Sequence, residues 1–116
     1  MSYADDKFKL AVNIKKFILD SEKLIQNIPR SDFYNRDRFR NDITEILHLV
    51  YLANNIDNKN LKRYYQSDIC ARLSMIDFYL ERAYMFKYIS EKQLYNSSKK
   101  LEELLRMTKG WMKVSG

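Results

Sequence analysis

Glycine, proline, cysteine and histidine are all scarce in this 116-residue chain: two glycines and one each of the others. Each shortage excludes something. So few glycines and prolines cannot turn an all-β chain, in which turn residues recur roughly every 8–12 positions. Long helices with few loops are what remains. The single cysteine, Cys70, has no partner for an internal disulfide, and among apolar helical neighbours it reads as a reduced bystander thiol. Apolar runs are only a few residues long, far short of the roughly 20 that cross a bilayer. The amino terminus, MSYADDKFKL, carries charges where a secretory signal needs an apolar stretch. The expectation is a cytoplasmic protein of one domain, residues 1–116, long enough for one hydrophobic core.

What the chain has in excess is positive charge. Twenty-one lysines and arginines stand against fifteen acidic residues, a net +6 with an isoelectric point near 9.4. Such a balance favours a polyanionic partner, nucleic acid or an acidic protein surface. The plainer reading is that the charge keeps a small domain dissolved.

The stretch Tyr64–Gln93 organises the rest. Ile69, Leu73, Ile76, Leu80 and Ala83 recur at alternating steps of four and three, which gathers them on one side of a helix. Met75, Phe78, Tyr79 and Phe86 form a second apolar set beside the first, leaving a narrow polar strip of Ser74, Asp77 and Glu81. A helix apolar around most of its circumference is buried on more than one side, so this one is expected to be central and to meet another subunit. It should stop near Tyr88, because Ser90 and Gln93 have the spacing of a capping box that opens the next helix.

The other helices follow the same logic. A first helix is predicted over about Asp5–Asn27, with Leu10, Ile14, Phe17, Ile18, Leu24, Ile25 and Ile28 inward and Phe8, Val12 and Leu19 in a smaller apolar line opposite. A line of that kind often marks an interface. Pro29 breaks the chain, since the residue before a proline disfavours helical geometry. A second helix is predicted over Tyr34–Asn55, with Phe39, Ile43, Ile46, Leu47, Val50 and Ala53 inward, and a third starts at Lys59. The fourth begins at Glu91 with Leu94, Leu101, Leu104, Leu105 and Thr108 inward; Gly110 is a candidate stop, although Trp111 and Met112 continue the apolar pattern. Four helices on short loops predict an all-α, antiparallel up-down-up-down four-helix bundle.

Two basic groups are candidate nucleic-acid contacts. Arg30, Arg36, Arg38 and Arg40 cluster after the first break, interrupted by Asp32 and Asp37. Their planar, forked donors suit phosphate, or equally a helix start laced with local ion pairs. Lys59, Lys62 and Arg63 open the third helix, where cations oppose the helix dipole and an anion would relieve the conflict. Asp68 and Arg72, four apart, are expected to pair structurally.

Catalysis finds little support. Glu45 and His48 have the Glu-x-x-His spacing of di-iron bundles, but such a site needs a second motif and therefore a second histidine. No phosphate loop, Cys-x-x-Cys pair or Ser/His/Asp set can be assembled, and no helix-turn-helix signature appears. The expectation is a non-enzymatic protein without metal or other cofactor. The nine tyrosines could stack on bases, but most lie beside aliphatic residues where packing is the ordinary use.

Several stretches together resemble a known family, covering nearly the whole chain. They are Ile28-Pro29-Arg30 with Arg38 downstream, Ala53-Asn54, Ile76–Leu80, Tyr88–Gln93, Leu105-Arg106-Met107 and Gly110-Trp111-Met112-Lys113. The pattern is similar to the small four-helix-bundle proteins that include Avd, the accessory variability determinant of diversity-generating retroelements. Proteins encoded by intervening sequences in 23S ribosomal RNA genes belong to the same wider group. The resemblance implies a basic homopentamer that binds RNA or cDNA and associates with a reverse transcriptase during mutagenic cDNA synthesis. Independently of the resemblance, the second apolar lines make helices one and three the expected subunit contacts, through Phe8, Val12 and Leu19 with Met75, Phe78 and Phe86. The alternative within that group is a protein-interaction module with no direct nucleic-acid role. Asp77 and Glu81 stand where many Avd proteins have arginines, so no nucleic-acid surface is carried over to that strip.

Overall fold

A computed structural model describes residues 9–115 of the chain. Within them are four helices: α1 (Lys9–Ile25), α2 (Phe33–Asn55), α3 (Lys59–Met85) and α4 (Glu91–Ser115). The expected start of the first helix and Phe8 lie outside the described residues. Adjacent helices pack in a ring, α1 on α2, α2 on α3, α3 on α4 and α4 back on α1, while the diagonal backbones stay apart. The α2–α3 seam is the most extensive and α1–α4 the least. The all-α antiparallel four-helix bundle is the observed fold, with a longest dimension of 43 Å.

The core follows the helical stripes. All five residues of the α3 stripe are buried, as are Leu10, Ile14, Phe17, Leu24 and Ile25 of α1 and Phe39, Ile43, Ile46, Val50 and Ala53 of α2. Ile18, Leu47, Leu94 and Leu105 are only partly covered and pack against the core from its margin, whereas Leu49 is fully inside.

Cap chemistry sets the helix ends. Asp32 accepts from the Asn35 N–H at the start of α2, and Asn58 accepts from the Leu61 N–H at the start of α3. Ser90 and Gln93 form the expected reciprocal box: the Gln93 N–H donates to Ser90 Oγ at 3.1 Å and the Ser90 N–H to Gln93 Oε1 at 2.8 Å. Each satisfies an orphan donor that the first turn cannot bond internally.

Three local outcomes differ from the sequence reading. Helix α3 ends at Met85 rather than near Tyr88, because the chain closes a Schellman motif: the Tyr88 N–H donates to Ala83 O and the Lys87 N–H to Tyr84 O. Lys87 takes the left-handed position, φ 65°, that glycine usually fills. Helix α4 does not stop at Gly110 but runs through it to Ser115. Trp111 packs against the core beyond the glycine, and a Cβ at Gly110 would meet nothing within 4 Å. Tyr79 parts from the rest of the second apolar set: it is fully buried, whereas Met75, Phe78 and Phe86 are exposed. Its ring stacks on Phe39 of α2 with centroids 5.9 Å apart, because the large α2–α3 seam widens the covered arc of α3 on that side.

Candidate functional site

The up-down topology separates the two basic groups. The α1–α2 and α3–α4 loops share one pole of the bundle, and the α2–α3 loop lies at the other with the last turns of α4. Arg30, Arg36, Arg38 and Arg40 belong to the first pole, Lys59, Lys62 and Arg63 to the second. Arg40, the nearest of the first group, still stands 15 residues before the end of α2 at Asn55, about 22 Å at 1.5 Å per residue. The structure therefore does not join them into one site.

At the first pole two of the four arginines, Arg36 and Arg40, are bonded internally. Arg40 makes a two-pronged pair with Glu22 at 3.1 and 3.3 Å, tying α2 to α1. Arg36 donates to the Ile28 carbonyl at 3.1 Å, closing the loop beneath Pro29. Arg38 lies over the Tyr34 ring, 4.8 Å from its centroid. Asp32 is the hub: besides capping α2 it accepts from Arg82 at 2.7 Å and from the Tyr88 hydroxyl at 3.2 Å. Burial works to raise its carboxyl, but those hydrogen bonds outweigh it and hold the group below its ordinary value. Arg30 and Arg38 are both exposed with no hydrogen bond or ion pair among the described residues, Arg38 having only the Tyr34 ring beneath it.

A second, partly buried network lies midway along the α2–α3 seam. Asp42 accepts from the Tyr79 hydroxyl and from Arg72, both at 2.7 Å, and Arg72 also reaches Asp68 at 3.2 Å. The expected Asp68–Arg72 pair is thus part of a larger clasp. Burial, then the carboxylate beside it, pushes the Tyr79 hydroxyl up to about 12. Sequence periodicity missed Asp42, whose role depends on a hydroxyl 37 positions away.

The second pole is different. Segments 57–67 and 107–115 carry Lys59, Lys62, Arg63, Lys109 and Lys113 against one carboxylate, Asp57. None of the five cations has an ion pair among the described residues. Arg63 and Ser67 of α3 and Lys109 and Lys113 of α4 converge on a shallow cavity of about 400 Å³, floored by Cys70 and Met112. The Cys70 thiol points to Met112 Sδ at 3.9 Å; burial pushes its pKa up, with the Lys109 charge opposing. That is the state of an unreactive thiol. Lys109 and Lys113 were absent from the sequence-derived set. Their spacing of four marks one helix face, but only the α3–α4 packing shows that this face adjoins Arg63.

The apolar lines also separate. Val12 and Leu19 of α1 are exposed, as are Met75, Phe78 and Phe86 of α3. Since α1 and α3 occupy diagonal corners, these are two patches on opposite sides of the bundle. Glu45 and His48 approach to 3.1 Å on the outer surface of α2, and no group of three His, Cys, Asp or Glu residues gathers as a metal-ligand set among the described residues. No described helix is long and apolar enough to cross a membrane. Compared with family models, curated proteins and solved structures, the chain gives no match.

Proposed function

We propose that this protein is a non-enzymatic, oligomeric nucleic-acid-binding bundle that serves as an accessory to a reverse transcriptase. The observation that supports binding is the pole formed by the start of α3 and the end of α4, where segments 57–67 and 107–115 hold five cations and one carboxylate and none of the cations is ion-paired within the described chain. A phosphate backbone supplies the missing counter-charge, and lysines and arginines without base-reading partners bind it without sequence preference. The reverse-transcriptase role rests on the family resemblance, as do a cytoplasmic setting and five subunits. Two apolar patches on opposite corners favour a heterologous contact, the kind that closes into a ring when the rotation allows.

The test is a salt titration of fluorescent RNA and single-stranded DNA. Binding should weaken with salt at a log–log slope of roughly −0.7 per phosphate contact and vary little with sequence. Lys62→Ala/Arg63→Ala should flatten the slope by about 1.4, two contacts' worth. An unchanged slope, or no binding at low salt, would favour the second reading, a protein-interaction module. The exposed Met75, Phe78 and Phe86 on α3 are the observation on that side.

A further inference from the structure

The cavity between α3 and α4 brings cations of two helices to one place. A polyanion track is a line of charge, whereas here three cations from two helices line one shallow, open concavity of about 400 Å³. That volume lies in the range of small-molecule sites, roughly 300–1,000 Å³. Its polar rim is Arg63, Ser67, Lys109 and Lys113, and its floor is the paired sulfurs of Cys70 and Met112. We infer that this cavity holds a terminal nucleotide, with its phosphate monoester on Arg63, Lys109 and Lys113 and its base against the Cys70–Met112 floor.

The charge count favours an end over the middle of a strand. An internal phosphodiester carries a single negative charge, whereas a monoester carries about −1.5 to −2 at pH 7 and offers three acceptor oxygens. Three cations crowded around one concavity repel one another, and a dianion relieves that repulsion better than a monoanion. Arginine suits the phosphate oxygens as a planar fork, the lysines as mobile point charges, and the Ser67 hydroxyl adds a donor. Sulfur atoms make favourable contacts with aromatic rings, so a floor of thiol and thioether accepts any base. Lys59 and Lys62, outside the cavity, are left to contact the adjoining backbone. This inference rests on the nucleic-acid reading above and gives it a polarity: the strand meets the protein by its end.

Cys70 is the chain's only cysteine and lines the cavity; its raised pKa makes it slow to react, so alkylation by a small thiol reagent is followed at mildly alkaline pH, where the thiolate fraction grows, and its rate reports occupancy. Wild type would be probed with one oligonucleotide carrying a 5′-phosphate, a 3′-phosphate or neither, and separately with a nucleoside monophosphate, its nucleoside and inorganic phosphate. A phosphate-ended strand should bind at least about tenfold more tightly than the hydroxyl-ended one, the effect of a charged hydrogen-bonded contact, and should slow Cys70 alkylation. Lys109→Ala/Lys113→Ala should abolish that preference while keeping the residual binding through Lys59 and Lys62. Protection by the free monophosphate at the same concentration would keep the cavity but assign it to a free nucleotide. Equal binding of phosphorylated and unphosphorylated strands, without protection of Cys70, overturns the inference and leaves the nucleic-acid reading standing. If no strand binds, that reading fails, and the cavity then stands or falls on whether the monophosphate protects Cys70 where the nucleoside does not.

Discussion

The two poles of the bundle use cations in opposite ways. At the α1–α2 and α3–α4 loops, Arg36, Arg40 and Arg82 bond a carbonyl, Glu22 and Asp32, so the charges close the structure on itself. At the start of α3 and the end of α4, Lys59, Lys62, Arg63, Lys109 and Lys113 close nothing among the described residues. Density of arginine along the sequence is therefore a poor guide to where charge is available. The denser run, Arg30 to Arg40, has acids interleaved and a neighbouring helix carrying more; the sparser one has neither.

The largest expected effect comes from removing the hub of the first pole. Asp32→Ala deletes a helix cap and leaves Arg82 and Tyr88 without their acceptor. It should lower unfolding free energy by about 2–3 kcal/mol in urea titrations. Because the folded Asp32 pKa is depressed, its contribution is present above the unfolded value of about 3.9 and is lost as pH falls through the lower folded value. The stability gap between wild type and Asp32→Asn should therefore narrow in acid below that point. A gap that stays constant down to the lowest accessible pH would show that the carboxylate's charge is not what matters.

A smaller effect sharpens the contrast. Arg36→Ala/Arg40→Ala removes the same charge as Lys62→Ala/Arg63→Ala but from the paired pole. It should lower stability by roughly 1–2 kcal/mol through the lost loop and α1–α2 bonds and leave the salt dependence of nucleic-acid binding unchanged. Equal flattening of the slope by both double variants would erase the distinction between the poles.

The smallest effects concern the ends of α3 and α4. Gly110→Ala should raise stability by about 0.5–1 kcal/mol, since the glycine is helical and its Cβ position is open. Lys87→Gly should raise it by a similar amount, about 1 kcal/mol at most, by relieving the left-handed backbone. Thermal or urea midpoints that fall in either variant would contradict these helix-end assignments.

Sequence by itself determined the four helices, their inward stripes, the Ser90–Gln93 box and the Asp68–Arg72 pair. These depend on spacings of three and four residues that any helix imposes, so they are local and legible. Tertiary structure alone decided that Tyr79 is buried, because that depends on Phe39 and Asp42 across a seam. It also decided that α4 passes through Gly110, since Trp111 gains enough packing beyond it to outweigh a glycine's modest cost. The same holds for the candidate site. Lys59, Lys62 and Arg63 are readable from the chain, but their separation from the arginine run and their junction with Lys109 and Lys113 follow from antiparallel packing. Which charges neutralise one another is a property of neighbours in space, and neighbouring helices bring together residues that the sequence keeps dozens of positions apart.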